Sequence, residues 1–279
     1  GVTLPHFEAV NLTRNAFPHG ISGIFAAIPF AIWFFLAIEG VANVAEETIN
    51  PQRNVLIGFG SAITTLVILC LLTFTSAVGV NGWESVVYEA GSTVALDTPL
   101  PLALKQIVGG DGFLFHMLIW IGLFGLVASF HGIILAAGRA TFEFGRVGYA
   151  PRWLGKTHKR FKTPAQALIV NMAIGIVSIL TGKTGEIITI ACFGALSLYV
   201  ISMVAFFKLR KDHPDLERPY KVPLYPFFPG TALGIALVAL VSMTFYNQGL
   251  ALIFYGIMFL SFLWFKFFVN DDVKQKATV

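Results

Sequence analysis

The sequence predicts an all-α polytopic membrane protein with seven transmembrane helices. Three observations carry this. The 279-residue chain is 56% hydrophobic and 12% charged, with mean hydropathy +0.76. A soluble domain carries about 25% charged residues, so this chain lacks the polar groups to cover a globule of its size. Its apolar runs are long, near the ~20 residues that a helix needs to cross ~30 Å of hydrocarbon, and that length favours helices over barrel strands. Finally, its basic residues gather in alternate connections between those runs, as they do when loops alternate sides of a bilayer.

Residues 1–19 are polar and contain Pro5 and Pro18. Asn11-Leu12-Thr13 is a formal glycosylation triplet, common by chance. The first span is expected at about 20–44 and the second at about 55–80, with a turn at Asn50-Pro51. Residues 81–112 are long for a plain loop and have room for one or two interfacial helices. The third span is expected at about 113–138, followed by a strongly basic connection. The fourth (about 164–181) and fifth (about 186–207) are separated by Gly182–Gly185 and are expected as an antiparallel pair. A charged, proline-rich loop leads to the sixth (about 228–246). A tight turn, Asn247-Gln248-Gly249, leads to the seventh (about 250–268), and a polar tail ends the chain. All 279 residues read as one transmembrane domain.

With seven spans, 16 of the 19 basic residues fall on one side, and Arg14, Lys105 and Lys183 on the other. This bias places the C-terminus in the cytoplasm and residues 1–19 outside. It also argues against nucleic acid as the partner of a chain with net charge +4. Cys70 and Cys192 both lie in apolar runs and read as small buried side chains, not as a disulfide or metal pair. There is no Walker glycine-lysine motif, no HExxH and no nucleophile elbow, so no enzyme, cofactor or metal is expected. The chain opens on Gly1 with no basic n-region and short apolar segment, so it is expected to be the later part of a longer protein, without a signal peptide.

The organising stretch is 20–54. Its apolar part holds one acid, Glu39, with Glu46, Glu47 and Pro51 beyond it. A charge deep in a span costs at least ~2.5 kcal/mol on insertion scales and needs a partner, water or a proton. Glu39 fits a carboxylate in a discontinuous helix, pairing with a cation or shuttling a proton. The less favoured reading is a protonated or water-bound side chain bonded to a neighbouring helix. Gly40 after it, and Trp33, Phe34 and Phe35 before it, point to a break near the acid, where free carbonyls hold a substrate ammonium. The three aromatics read as packing or as a cation–π wall. His131 reads as a cavity or proton-relay group, or as a neutral ring bonded to a carbonyl on an adjacent helix. Tyr199 and Ser197 reach a cavity, or Tyr199 is a buried phenol with one bond partner. Gly122, Gly125, Ala128, Gly132, Ala136, Ala137 and Gly138 form a face that another helix can approach closely.

The stretch FFLAIEGVANVAEETINPQRNVLIG resembles the sixth transmembrane helix and following loop of the amino acid–polyamine–organocation permease superfamily. Its pattern is an aromatic stretch, Glu39, Ala45-Glu46-Glu47, then Asn50-Pro51-Gln52-Arg53. AAGRATFEFGRVGYAPRWLGK resembles the end of helix eight and its loop. The stretch from Lys208 to Pro226 resembles the link after helix ten. IPFAIWFFLAIEG is most similar to ethanolamine permeases within that superfamily.

The resemblance implies helices six to twelve of a five-plus-five inverted-repeat transporter fold lacking its first half. It implies a secondary active transporter importing ethanolamine or a similar small amine across the cytoplasmic membrane, by proton symport or exchange. Backbone carbonyls from Trp33 through Phe34, Phe35 and Leu36 to Ala37 would accept the ammonium, and Glu39 would couple it to a proton. Trp33, Phe34, Phe35, Leu36, Ala37, Glu39, His131 and Tyr199 are the expected substrate-binding residues. Ala37 departs from the glycine frequent in the family, which leaves the carbonyls less exposed. Residues 132–139 offer no hydroxyl for sodium, which favours protons or exchange. The expected partners are the small amine or amino acid, the lipid bilayer and the missing N-terminal helices, without which this chain is expected not to transport. The alternatives are a general amino acid permease of the same superfamily and, from other classes, an ion channel or a membrane scaffold.

Overall fold

A computed structural model describes residues 3–36, 38, 40, 48–96, 98–218 and 221–269. The helices run in the order α1 (Val10–Thr13), α2 (Gly20–Ala26), α3 (Ile28–Trp33), α4 (Pro51–Asn81), α5 (Glu84–Val87), α6 (Pro99–Val108), α7 (Phe113–Val147), α8 (Ala165–Leu180), α9 (Thr184–Asp212), α10 (Phe227–Tyr246) and α11 (Gln248–Phe268). Among the described residues there is no named strand, only an isolated bridge between Tyr88 and Ala95.

Among the described residues five helices, α4, α7, α9, α10 and α11, are long and apolar enough to cross a membrane. The other two expected spans take different forms. The first is not one rod: α2 and α3 are separated at Ala27, and α-helical winding ends at Trp33. The fourth is α8, whose 16 residues reach ~24 Å at 1.5 Å per residue, short of a ~30 Å core. Conversely, α7 continues nine residues past the expected end at 138, carrying Arg139 and Arg146 on helix.

The side chains on the long helices explain why they need a bilayer. Leu71 and Leu72 of α4 and Phe124 and Leu126 of α7 are all more than half exposed. Each such side chain left in water forgoes about 1.5–3 kcal/mol of burial. A helix satisfies its own backbone bonds, so lipid can cover these faces without orphaning a polar group.

The chain divides into two compact units, residues 1–23 with 58–132, and residues 24–57 with 133–279. In the first, the N-terminal segment closes the end of α4. Gly82, at φ +83°, turns the chain out of the helix and donates its N–H to the Val78 carbonyl at 2.8 Å, an αL-type stop. Asn11 is buried, and its Nδ2 donates to the carbonyls of Gly79 (3.1 Å) and Val80 (3.2 Å). These end-of-helix carbonyls have no partner further along the helix. The Asn11 amide is therefore committed to a cap and is not available as a glycosylation acceptor. The Gly79 carbonyl also accepts the Glu8 N–H at 2.9 Å, so Asn11→Leu leaves the Val80 carbonyl without its donor and is expected to cost about 1–2 kcal/mol, read as a lower unfolding midpoint in detergent.

The 81–112 connection holds two short helices, α5 and α6, as its length led us to expect. Ala77, Val78, Val86 and Ala103 form a small core there. Lys105 pairs with Glu89 at 2.5 Å. The hydrogen bond from Lys105 holds the Glu89 carboxyl below its usual range, and the same bond raises Lys105. The pair's contribution is thus present between the two unfolded-state pKa values. It is lost as pH falls through the lowered Glu89 value, and again as pH rises through the raised Lys105 value. A carboxylate NMR titration is expected to show Glu89 titrating below a free Glu in native protein and returning to the ordinary range in Lys105→Gln.

In the second unit, α3, α9, α10 and α11 pack around Cys192, Phe193, Leu196, Ala236, Ala239, Met243, Ala251 and Phe254. Phe193 and Phe254 stack at 5.6 Å. Asn247 alone separates α10 from α11, close to the expected tight turn. The short link between α8 and α9 turns at Gly182, φ +65°, and side chains of α8 reach α7. Asn171 donates to Thr141 Oγ1 on α7 at 2.9 Å, and Leu168 fills the space beside Gly138. Of the glycines in the small-residue face, Gly138 is buried; Gly122, Gly125 and Gly132 are exposed, and a Cβ there would meet nothing.

Candidate functional site

The candidate site is built on the broken first span. Pro29 has no N–H to donate and its ring crowds the carbonyl four residues back, which stops a regular helix from passing through. Winding restarts at Ile28, where the Ala27 carbonyl accepts from both Phe30 and Ala31 N–H groups, each at 3.1 Å. After Trp33 the turns tighten: Phe35 N–H donates to Ile32 O at 2.9 Å and Leu36 N–H to Trp33 O at 3.2 Å. These are three-residue turns, poorer in geometry than α-helical ones and short-lived along a chain.

The break is anchored to the core of its unit. Pro29 is fully buried, and its carbonyl accepts the Cys192 Sγ–H at 3.1 Å from α9. Ile28 and Ile32 pack on the same core. The bond ties the first turn of α3 to α9.

Beside the break lies an open groove of about 1040 Å³ between α3, α9 and α10. Ile32 and Phe35 line it from the first span, Tyr199 and Ser202 from α9, and Thr231 and Val238 from α10. Apart from the hydroxyls, the face is apolar. It is many times larger than a small amine, so it offers a wall for a solute or a neighbouring helix and not a fitted cage.

The expected site residues divide as follows. Phe35 and Tyr199 are brought to the same groove. Trp33 and Phe34 are 41% and 55% exposed and Leu36 is half-buried; none of these three lines the groove. Ala37 and Glu39 lie outside the described residues, as do Glu46 and Glu47. His131 belongs to the other compact unit. It is exposed, and its Nδ1 donates to the Val127 carbonyl one turn back on its own helix at 2.6 Å, not to an adjacent helix. Cys192 is buried as its apolar run suggested, but its bond to Pro29 was not foreseen; Pro29, mid-span, was the available signal.

The five membrane-length helices among the described residues define a multi-pass α-helical membrane protein. The chain belongs to the amino acid permease family, whose profile matches residues 2–268; this is a family of transporters, not enzymes. The chain is similar to an uncharacterised transporter of Rhizobium meliloti, 29% identical over 218 residues, 77% of this chain and 45% of the relative. It is similar to the branched-chain amino acid permease BcaP of Bacillus subtilis, 28% identical over 229 residues, 81% and 47% of the two chains. It is 26% identical to the methylthioribose transporter of Bacillus subtilis over the same shares. The chain thus spans about half the length of the curated relatives it matches.

Proposed function

We propose that the protein carrying this chain is a secondary active transporter of a small amine, ethanolamine first, importing it across the cytoplasmic membrane by proton symport or exchange. The observation that carries this is the helix break between Ala27 and Leu36, directly before Glu39, in a chain of the amino acid permease family. The break makes carbonyls of Trp33 to Ala37 candidates for the substrate ammonium, with Phe35 and Tyr199 as an aromatic wall. Glu39 is the proton-coupling acid. Upstream helices of the same protein supply the facing half of the site, and alternating access rocks one bundle against the other. His131 is assigned the weakest role, since its ring is held by its own helix.

The second reading, an amino acid permease, is favoured by the relatives named as branched-chain amino acid permeases. Competition decides between them: excess amino acids should not displace labelled ethanolamine taken up by the full-length protein. Strong competition with no ethanolamine uptake would favour the second reading. The charge bias supports a cytoplasmic C-terminus, which a reporter fused there tests.

A further inference from the structure

We propose that the cleft between the end of α7 and the last turns of α11 seats the headgroup phosphate of an anionic phospholipid. The cleft, about 260 Å³, is lined by Gly148, Pro151, Arg152, Trp264, Phe268 and Val269. Its walls are fixed. Trp264 Nε1 donates to the Tyr149 carbonyl at 3.2 Å, and the Tyr149 and Phe265 rings meet at 5.6 Å. Ala150 N–H donates to Phe144 O at 3.0 Å. Gly145 and Gly155 lie so close that a Cβ on either would strike the other's backbone, which sets the turn carrying Arg152.

The lining of the cleft combines two kinds of chemistry. The Trp264 indole N–H is already taken, so its ring, stacked on Phe268 at 4.7 Å, offers only apolar surface. Trp264 and Phe268 are 43% and 70% exposed, at the end of a membrane-length helix where amphipathic aromatics meet headgroups. Arg152, in the same lining, is exposed and has no acidic partner among the described residues, nor have Lys156, Lys159 and Lys162. From 139 to 162 Glu143 is the one acid against seven cations, and Arg146 holds it at 2.8 Å. In the sequence beyond Val269, Asp271 and Asp272 are matched by Lys274 and Lys276. An anionic lipid satisfies both, with its apolar carbons against Trp264 and its phosphate against Arg152.

The test is native mass spectrometry of the full-length protein in equal phosphatidylglycerol and phosphatidylcholine. Wild type should retain phosphatidylglycerol preferentially. Arg152→Gln should reduce that preference about fivefold, the worth of one cation near a charged surface. Lys183→Gln, an equal charge change at the Glu186 pair, should leave it intact. No preference in wild type, an unchanged Arg152→Gln, or an equal loss in Lys183→Gln would overturn the proposal. So would displacement of the lipid by millimolar inorganic phosphate, which would mark a free-anion site. Arg152→Lys carries the test if Arg152→Gln does not fold: its preference should persist and vanish in high salt, and a salt-insensitive preference would overturn the proposal.

Discussion

Glu39→Gln in the full-length protein is expected to cut proton-driven ethanolamine uptake by about 10–100-fold while the protein still reaches the membrane. Glutamine keeps the shape of the side chain and loses the proton site. A hydrogen bond to a charged group is worth about 1.5–3 kcal/mol, and each 1.4 kcal/mol is a factor of ten. Exchange of labelled for unlabelled substrate without a pH gradient should survive better than gradient-driven uptake, since exchange does not require the acid to release its proton. The measurement is uptake at several pH values in liposomes. Unchanged uptake at every pH would remove Glu39 from the mechanism and leave the broken helix without its proposed coupling group.

Gly155→Val is expected to lower stability by about 3 kcal/mol, at the upper end of the overpacking range. The reason is geometric. A Cβ at Gly155 would overlap the backbone of Gly145 and Arg146, and one at Gly145 the backbone of Gly155 and Leu154. Backbone on both sides leaves no flexible side-chain tip to give way. Gly122→Ala is the contrast, since a Cβ there meets no other described atom. Alanine is also the better helix former by about 1 kcal/mol, so Gly122→Ala should be neutral or slightly stabilising. Thermal unfolding of the two variants in detergent should therefore move in opposite directions or differ by several degrees. Equal midpoints would mean that the close approach at Gly145 and Gly155 carries no packing energy.

What the sequence made legible was chiefly hydropathy. The apolar runs located α4, α7, α9, α10 and α11, and the length of the 81–112 connection anticipated α5 and α6. Hydropathy was a poorer guide to where helices stop. Arg139 and Arg146 end an apolar run, but both are good helix formers, so α7 continues through them. The break in the first span was expected near Gly40, and the described break lies earlier. Pro29 was its cause and stood in plain view, but the apolar run around it read as continuous. The Asn11 cap and the contact of Gly145 with Gly155 join residues whose partnership depends on folding, and no local pattern announces either. For the site, proximity to Glu39 drew attention to the first span. His131 was grouped with it on residue type alone, and its bond to Val127 is an ordinary feature of its own helix.

The most direct test is uptake of labelled ethanolamine by the purified full-length protein in liposomes under an inward proton gradient. A carrier of the proposed kind gives saturable uptake that rises with the gradient and falls on competition with unlabelled ethanolamine. Flux that grows linearly with concentration, or no ethanolamine uptake under any gradient, would contradict it.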